Sequence, residues 1–150
     1  MEESRFTEVI DYAIGREEAA ARFYRDLQNI ARFGPQREIL REFAKMEDNH
    51  KRKLQTIREK GPATVRVSDA QEVVRRSSLK ETPPSPEMDY QEILIAAMKR
   101  EDNSYTLYSE LREQTDDPQL QDIFTMLMNE EAKHKSFFED LYDRDVQPDN

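Results

Sequence analysis

The chain has 150 residues, the length of one domain, and a chain of that size buries roughly 70% of the surface its unfolded form exposes. Its formal charge is −9, with Lys and Arg scattered along the chain, so no basic stripe exists for a phosphate backbone and nucleic acid is not an expected partner. It has no cysteine and no run of about 18 apolar residues, and its start, MEESRFTEV, is acidic where a secretory leader would be basic and then apolar. Membrane insertion, disulfides, thiolate zinc and Cys-ligated iron centres are therefore not expected, and the cytoplasm is the expected compartment.

Charged residues make up 37% of the chain and glycine occurs only three times, a composition that favours helices if apolar residues recur at helical spacing. They do. Phe6, Ile10, Ala13, Glu17, Ala20, Tyr24, Leu27 and Ala31 alternate steps of four and three, one face of a bundle helix over about 5–32. Phe33-Gly34-Pro35 predicts a break at 33–36, with Pro35 suited to a first turn. A second seam, Leu40, Phe43, Glu47, His50, Leu54 and Ile57, predicts a helix over 36–60 that Gly61-Pro62 ends.

Residues 61–86 hold four of the seven prolines and read as a crossover, with a short helix near 68–76 capped by Ser68 or Asp69. The seams return at Tyr90, Leu94, Ala97, Glu101, Ser104, Tyr108 and Leu111, then at Leu120, Phe124, Leu127, Glu131, His134, Phe138 and Leu141. They predict helices over 88–115 and 118–143, parted at Asp117-Pro118. The methionines form no local thioether cluster and read as packing.

The second half repeats the first at a constant offset of 84 residues, without a gap between 5–60 and 89–144. Ten positions are identical: Glu8, Ala13, Arg16, Glu17, Tyr24, Leu27, Ile39, Glu47, His50 and Lys51 return as Glu92, Ala97, Arg100, Glu101, Tyr108, Leu111, Ile123, Glu131, His134 and Lys135. Both histidines of the chain align, each three residues after a seam glutamate. Two short hairpins joined by a long connection predict a single all-α domain over 1–150, a four-helix bundle running up, down, crossover, down, up. At 1.5 Å per residue Glu17, Glu47, Glu101 and Glu131 then converge at similar depth.

A buried carboxylate is costly unless protonated, paired or bound to metal. Four in one layer repel, each pair by about 4 kcal/mol at 4 Å and an effective dielectric near 20. Two divalent cations would balance the four charge for charge, and neutral His50 and His134 would complete the coordination without adding any. In Glu47-x-x-His50 and Glu131-x-x-His134 the side chains are neighbours on one helix face, so each pair can aim two ligands at one site. Such mixed ligands suit iron or manganese, with zinc competing, and predict two ions about 3.5–4 Å apart.

One Glu from each of two helices plus Glu-x-x-His from each of the other two resembles the ferritin-like di-iron and di-manganese proteins. The segments EEAAARFY at 17–24, EDNH at 47–50, EDNSYTLY at 101–108 and EEAKH at 130–134 are similar to the rubrerythrin-like branch of that superfamily. The resemblance implies terminal ligands at Glu17 and Glu101, bridging ligands at Glu47 and Glu131, and one nitrogen per metal from His50 and His134. It also implies that Tyr24 and Tyr108 hydrogen-bond to ligand carboxylates. Two departures stand out: no cysteine is present for a rubredoxin-type iron, and Ser104 stands where many rubrerythrins have an extra carboxylate.

By the same resemblance the expected activity is reduction of hydrogen peroxide, or dioxygen, at two irons. Electrons would come from a separate rubredoxin or flavoprotein. Ferritin-like iron oxidation for storage or delivery is the first alternative, and a non-catalytic helical module with structural metals is the second. No cage-assembly surface is readable, and a homo-oligomer is left open.

Overall fold

The computed structural model describes residues 2–60 and 88–146. They form four α-helices, α1 (Glu2–Leu27), α2 (Arg37–Lys60), α3 (Tyr90–Glu113) and α4 (Pro118–Asp145), with a short 3-10 segment, Ala31–Gln36, leading into α2. No extended strand occurs among the described residues, and the architecture is an all-α, ferritin-like bundle. No helix among them is long and apolar enough to cross a membrane.

The helix starts of the second half follow their capping chemistry. The Asp89 carboxylate accepts the Glu92 amide at 2.8 Å, and the Asp89 amide donates to Glu92 Oε1 at 3.1 Å, closing a capping box at the start of α3. Asp117 accepts the Gln119 amide at 2.9 Å, and Pro118 occupies the first turn of α4, where an N–H would have no partner.

The first hairpin turns earlier than its punctuation predicts. α1 ends at Leu27 rather than near 32, and the reversal falls at Gln28–Ile30, where Ile30 is extended (φ −93°, ψ 122°). Gly34-Pro35 lies inside the 3-10 segment that starts the next helix. Gly34 is not what turns the chain, since a Cβ there would meet nothing within 4 Å. The early stop brings Phe33 round into the core, where it is fully buried with its ring 5.2 Å from that of Tyr90. The Arg32 guanidinium lies 4.2 Å over the Tyr90 ring and the Tyr90 hydroxyl donates to Asp145 at 2.7 Å, so this turn ties the first hairpin to the start of α3 and the end of α4.

The helices pack closely in pairs, α1 with α2 and α3 with α4. Their buried residues form two apolar slabs. One contains Val9, Ile10, Leu54, Ile57, Leu107, Leu111, Phe124 and Leu127. The other contains Phe23, Leu27, Phe33, Leu40, Phe43, Ile93, Leu94, Phe138 and Leu141. The first slab thus joins the beginnings of α1 and α4 to the ends of α2 and α3, and the second joins the opposite ends, which is the predicted up, down, down, up order.

The end of α2 and the start of α3 therefore lie at opposite ends of the bundle. The predicted crossover and the short helix near 68–76 lie outside the described residues. The methionines at 46, 88 and 98 pack on the second slab and those at 126 and 128 on the first, as gap-fillers.

Candidate metal centre

Between the two slabs lies a polar layer. Glu17 comes from α1, Glu47 and His50 from α2, Glu101 from α3, and Glu131 and His134 from α4, each at most 2% exposed. They are buried because they occupy the inward seam, and on α2 and α4 the three-residue step sets carboxylate and imidazole side by side. His50 Nδ1 lies 3.1 Å from Glu131, 3.4 Å from Glu17 and 3.6 Å from Glu47. His134 Nδ1 lies 2.9 Å from Glu47 and 3.7 Å from Glu101.

The ligand-type atoms fall into two groups, each lying within 4.8 Å of one another: Glu17, Glu47, His50 and Glu131, and Glu47, Glu101, Glu131 and His134. The two groups share Glu47 and Glu131.

The tyrosines lie where the resemblance places them. Both are fully buried; Tyr24 donates to Glu101 Oε1 and Tyr108 to Glu17 Oε1. Each phenol thus ties one oxygen of a carboxylate, while the other oxygen of that carboxylate approaches the histidine. The bonds cross between hairpins, α1 to α3 in both directions. Replacing Tyr108 by Phe leaves the buried Glu17 one donor short, which should cost the metal-free protein about 1–3 kcal/mol in chemical denaturation. Unchanged stability and metal affinity would reduce the tyrosine to packing.

The layer divides its protons unequally. Burial pushes Glu47 well above the usual carboxylate range, and the Glu17 and Glu101 charges push it further. Burial and the Glu101, Glu47 and Glu17 charges raise Glu131 likewise. Burial also works against ionised Glu17, but contacts with Glu47, His50 and Tyr108 outweigh it and hold that carboxyl below its usual value. Glu101 is lowered against burial by Glu131, His134 and Tyr24. Burial disfavours charged imidazoles, yet the surrounding carboxylates raise both His50 and His134. Tyr24 and Tyr108 are raised by burial and by the nearby carboxylates, so both keep the proton they donate.

Two features beside the layer escape a reading by seams. Glu130, one residue before Glu131, meets His50 Nε2, the ring nitrogen turned away from the centre. Arg16 is buried, and its guanidinium donates to Ser104 Oγ at 2.8 Å and to the Arg100 carbonyl at 3.2 Å. Ser104, where an extra carboxylate occurs in many rubrerythrins, is thus a partner of Arg16. Both arginines were visible in the repeat, but only packing distinguishes them, since Arg100 lies over the Phe23 ring at 5.0 Å.

Two openings reach the layer. A cavity of about 340 Å³ between α3 and α4 is lined by Glu101, Asp102, Tyr105, Glu131, Lys135 and Glu139, with Ala132 also on its wall. Another of about 320 Å³ between α2 and α4 meets His50 and Glu130.

The donor set fits metal. Glu17 Oε2, both Glu47 oxygens, Glu101 Oε2, Glu131 Oε1 and the Nδ1 atoms of His50 and His134 are buried and lack a well-aligned hydrogen bond among the described residues. Buried polar atoms without partners are expensive, and a cation satisfies carboxylate oxygens and imidazole lone pairs alike. No solved structure gives a significant match to the chain. The rubrerythrin family model matches residues 8–142. With that span covering nearly the whole sequence and the carboxylate–histidine layer at its heart, the chain belongs to the rubrerythrin family.

Proposed function

We propose that the chain is a non-haem di-iron oxidoreductase that reduces hydrogen peroxide, or dioxygen, at a centre formed by Glu17, Glu47, His50, Glu101, Glu131 and His134. The observation that carries this reading is that the two ligand groups share Glu47 and Glu131, an arrangement suited to a pair of ions rather than to one. When bound, two ferrous ions would supply two electrons and become ferric, which with two protons takes hydrogen peroxide to two waters, or takes dioxygen to peroxide, whose own reduction to water would need a second pair of electrons. Manganese or zinc would compete for the same ligands.

The protein's own part is positioning. Glu47 and Glu131 reach both groups, and the phenols of Tyr24 and Tyr108 hold Glu101 and Glu17 by one oxygen each. The apolar slabs on either side keep bulk water from the layer, while the openings at Glu101 and at His50 suit small substrates. Electrons for the next cycle would come from a separate rubredoxin or flavoprotein.

The test is anaerobic loading with ferrous iron, then rapid mixing with peroxide and, separately, with dioxygen. Ferric formation should be faster with peroxide, and both irons should stay bound through repeated reduction. One observation favours ferroxidase action as a second reading: the opening onto Glu101 and Glu131 stays net negative, since its Lys135 is matched by Asp102 at 2.8 Å and Glu139 adds a further carboxylate, which suits the passage of cations. Iron that leaves the centre after each oxidation would support that reading over the first.

A further inference from the structure

The internal repeat is broken beside the centre. Met46 precedes Glu47 in the first half, whereas Glu130 precedes Glu131 in the second. From α4, Glu130 reaches across to His50 on α2 and meets its Nε2. The matching nitrogen of His134 has no hydrogen-bond partner among the described residues. The His134 ring lies against apolar and aromatic surface instead, 4.0 Å from Phe43 and 5.6 Å from Tyr24. Met46, the repeat mate of Glu130, has only a weakly accepting thioether and cannot serve His134 as Glu130 serves His50.

We infer that Glu130 makes the two metal positions unequal, so that the one ligated by His50 is the tighter and fills before the one ligated by His134. The inference rests on the two-metal reading. A carboxylate on Nε2 holds the proton there, which fixes the tautomer whose Nδ1 lone pair faces Glu17, Glu47 and Glu131. It also strengthens the imidazole as a donor and holds the ring in place, effects whose loss commonly weakens metal binding by about 10- to 100-fold. Among the described residues His134 has no carboxylate on Nε2 to polarise it, and its ring is held by packing against Phe43 and Tyr24. Glu130 is a positioning residue: its side chain is 26% exposed, it acts through the far side of the His50 ring, and it is not counted among the ligands.

The test is stepwise titration of the metal-free protein with cobalt(II), following the visible bands of the bound ion and, by equilibrium dialysis, the number bound. Wild type should take up two ions in separated steps. Glu130→Met should weaken the first step about 10- to 100-fold, leave the second in place and merge the two. Glu130→Gln keeps an acceptor without the charge and should fall between. Met46→Glu places a carboxylate at the mate position and should tighten the second step.

A fold merely loosened by substitution would weaken both steps together, so parallel weakening would overturn the assignment. Two equal steps in wild type would overturn it too, as would unchanged steps in both Glu130→Met and Met46→Glu. Failure of the wild-type chain to bind cobalt at all would instead remove the two-metal reading beneath it.

Discussion

Replacing Glu47 and Glu131 together by alanine is expected to abolish paired metal binding, because these are the two carboxylates that both ligand groups share. Losing even an outer partner of a ligand commonly costs about 10- to 100-fold in affinity, and on the proposed two-metal reading each ion would lose two direct ligands. Metal analysis of the purified variant should find no stoichiometric pair.

Stability should fall too, for a separate reason. In the metal-free protein Glu47 helps hold Glu17 and Glu131 helps hold Glu101, and the same two carboxyls approach His134 and His50, so truncating them leaves buried partners unsatisfied and cavities behind. The metal-free double variant should therefore melt below the metal-free wild type. A retained pair of ions at wild-type affinity would show that the shared carboxylates are not the bridge.

The second large effect is a pH-dependent gap between metal-loaded and metal-free protein. Glu47 and Glu131 have folded values raised above the unfolded carboxyl value, so they favour the folded metal-free state at low pH and lose that contribution as pH rises from about 4.5 towards their raised values. His50 and His134 are raised as well; their contribution is complete below the unfolded imidazole value of about 6.5 and is lost above it as pH climbs through the folded values. Glu17 and Glu101 are lowered, so their contribution is present above about 4.5 and disappears only as pH falls through their folded values.

The metal-free protein should thus be most stable in mild acid and weaken towards alkaline pH. Metal competes with the protons on Glu47, Glu131, His50 and His134, so its affinity should rise over the same range. At a metal concentration one hundred times Kd the loaded form gains about 2.7 kcal/mol. Melting curves from pH 5 to 8 should show the gap widening with pH, and uptake at neutral pH should release protons detectable as buffer-dependent heat. A gap that narrows as pH rises would contradict this distribution of protons.

The buried carboxylate–histidine layer was legible because the same step of three and four that marks a buried face in Leu40, Phe43, Leu54 and Ile57 runs through Glu47 and His50. A charged residue on an otherwise apolar seam is a strong signal, and the 84-residue repeat supplied it twice. Glu130 carried no such signal. It lies off the seam, and a partly exposed glutamate on a helix ordinarily reads as a solvated face. Only the mismatch with Met46 in the repeat could have drawn attention to it, and the geometry was needed to show that it reaches the other hairpin.

The first turn was misread for a different reason. Proline is as comfortable at the start of a helix as beyond its end, so Phe33-Gly34-Pro35 signalled a boundary without saying on which side of it the reversal lay. Burial of Phe33 decided that, and burial of a single residue outside a periodic segment has no pattern to read.

Each hairpin contributes one glutamate from its first helix and a Glu-x-x-His pair from its second, and each ligand group draws on both hairpins. Contacts within a hairpin are close in sequence and form early, whereas contacts between hairpins close a long loop and come later. A nascent chain with only its first hairpin folded therefore holds Glu17, Glu47 and His50 but neither complete group. On the proposed two-metal reading, a bound pair would therefore become available only when synthesis and docking are finished. The division of the six residues between the halves would then keep unfinished protein from holding a metal pair.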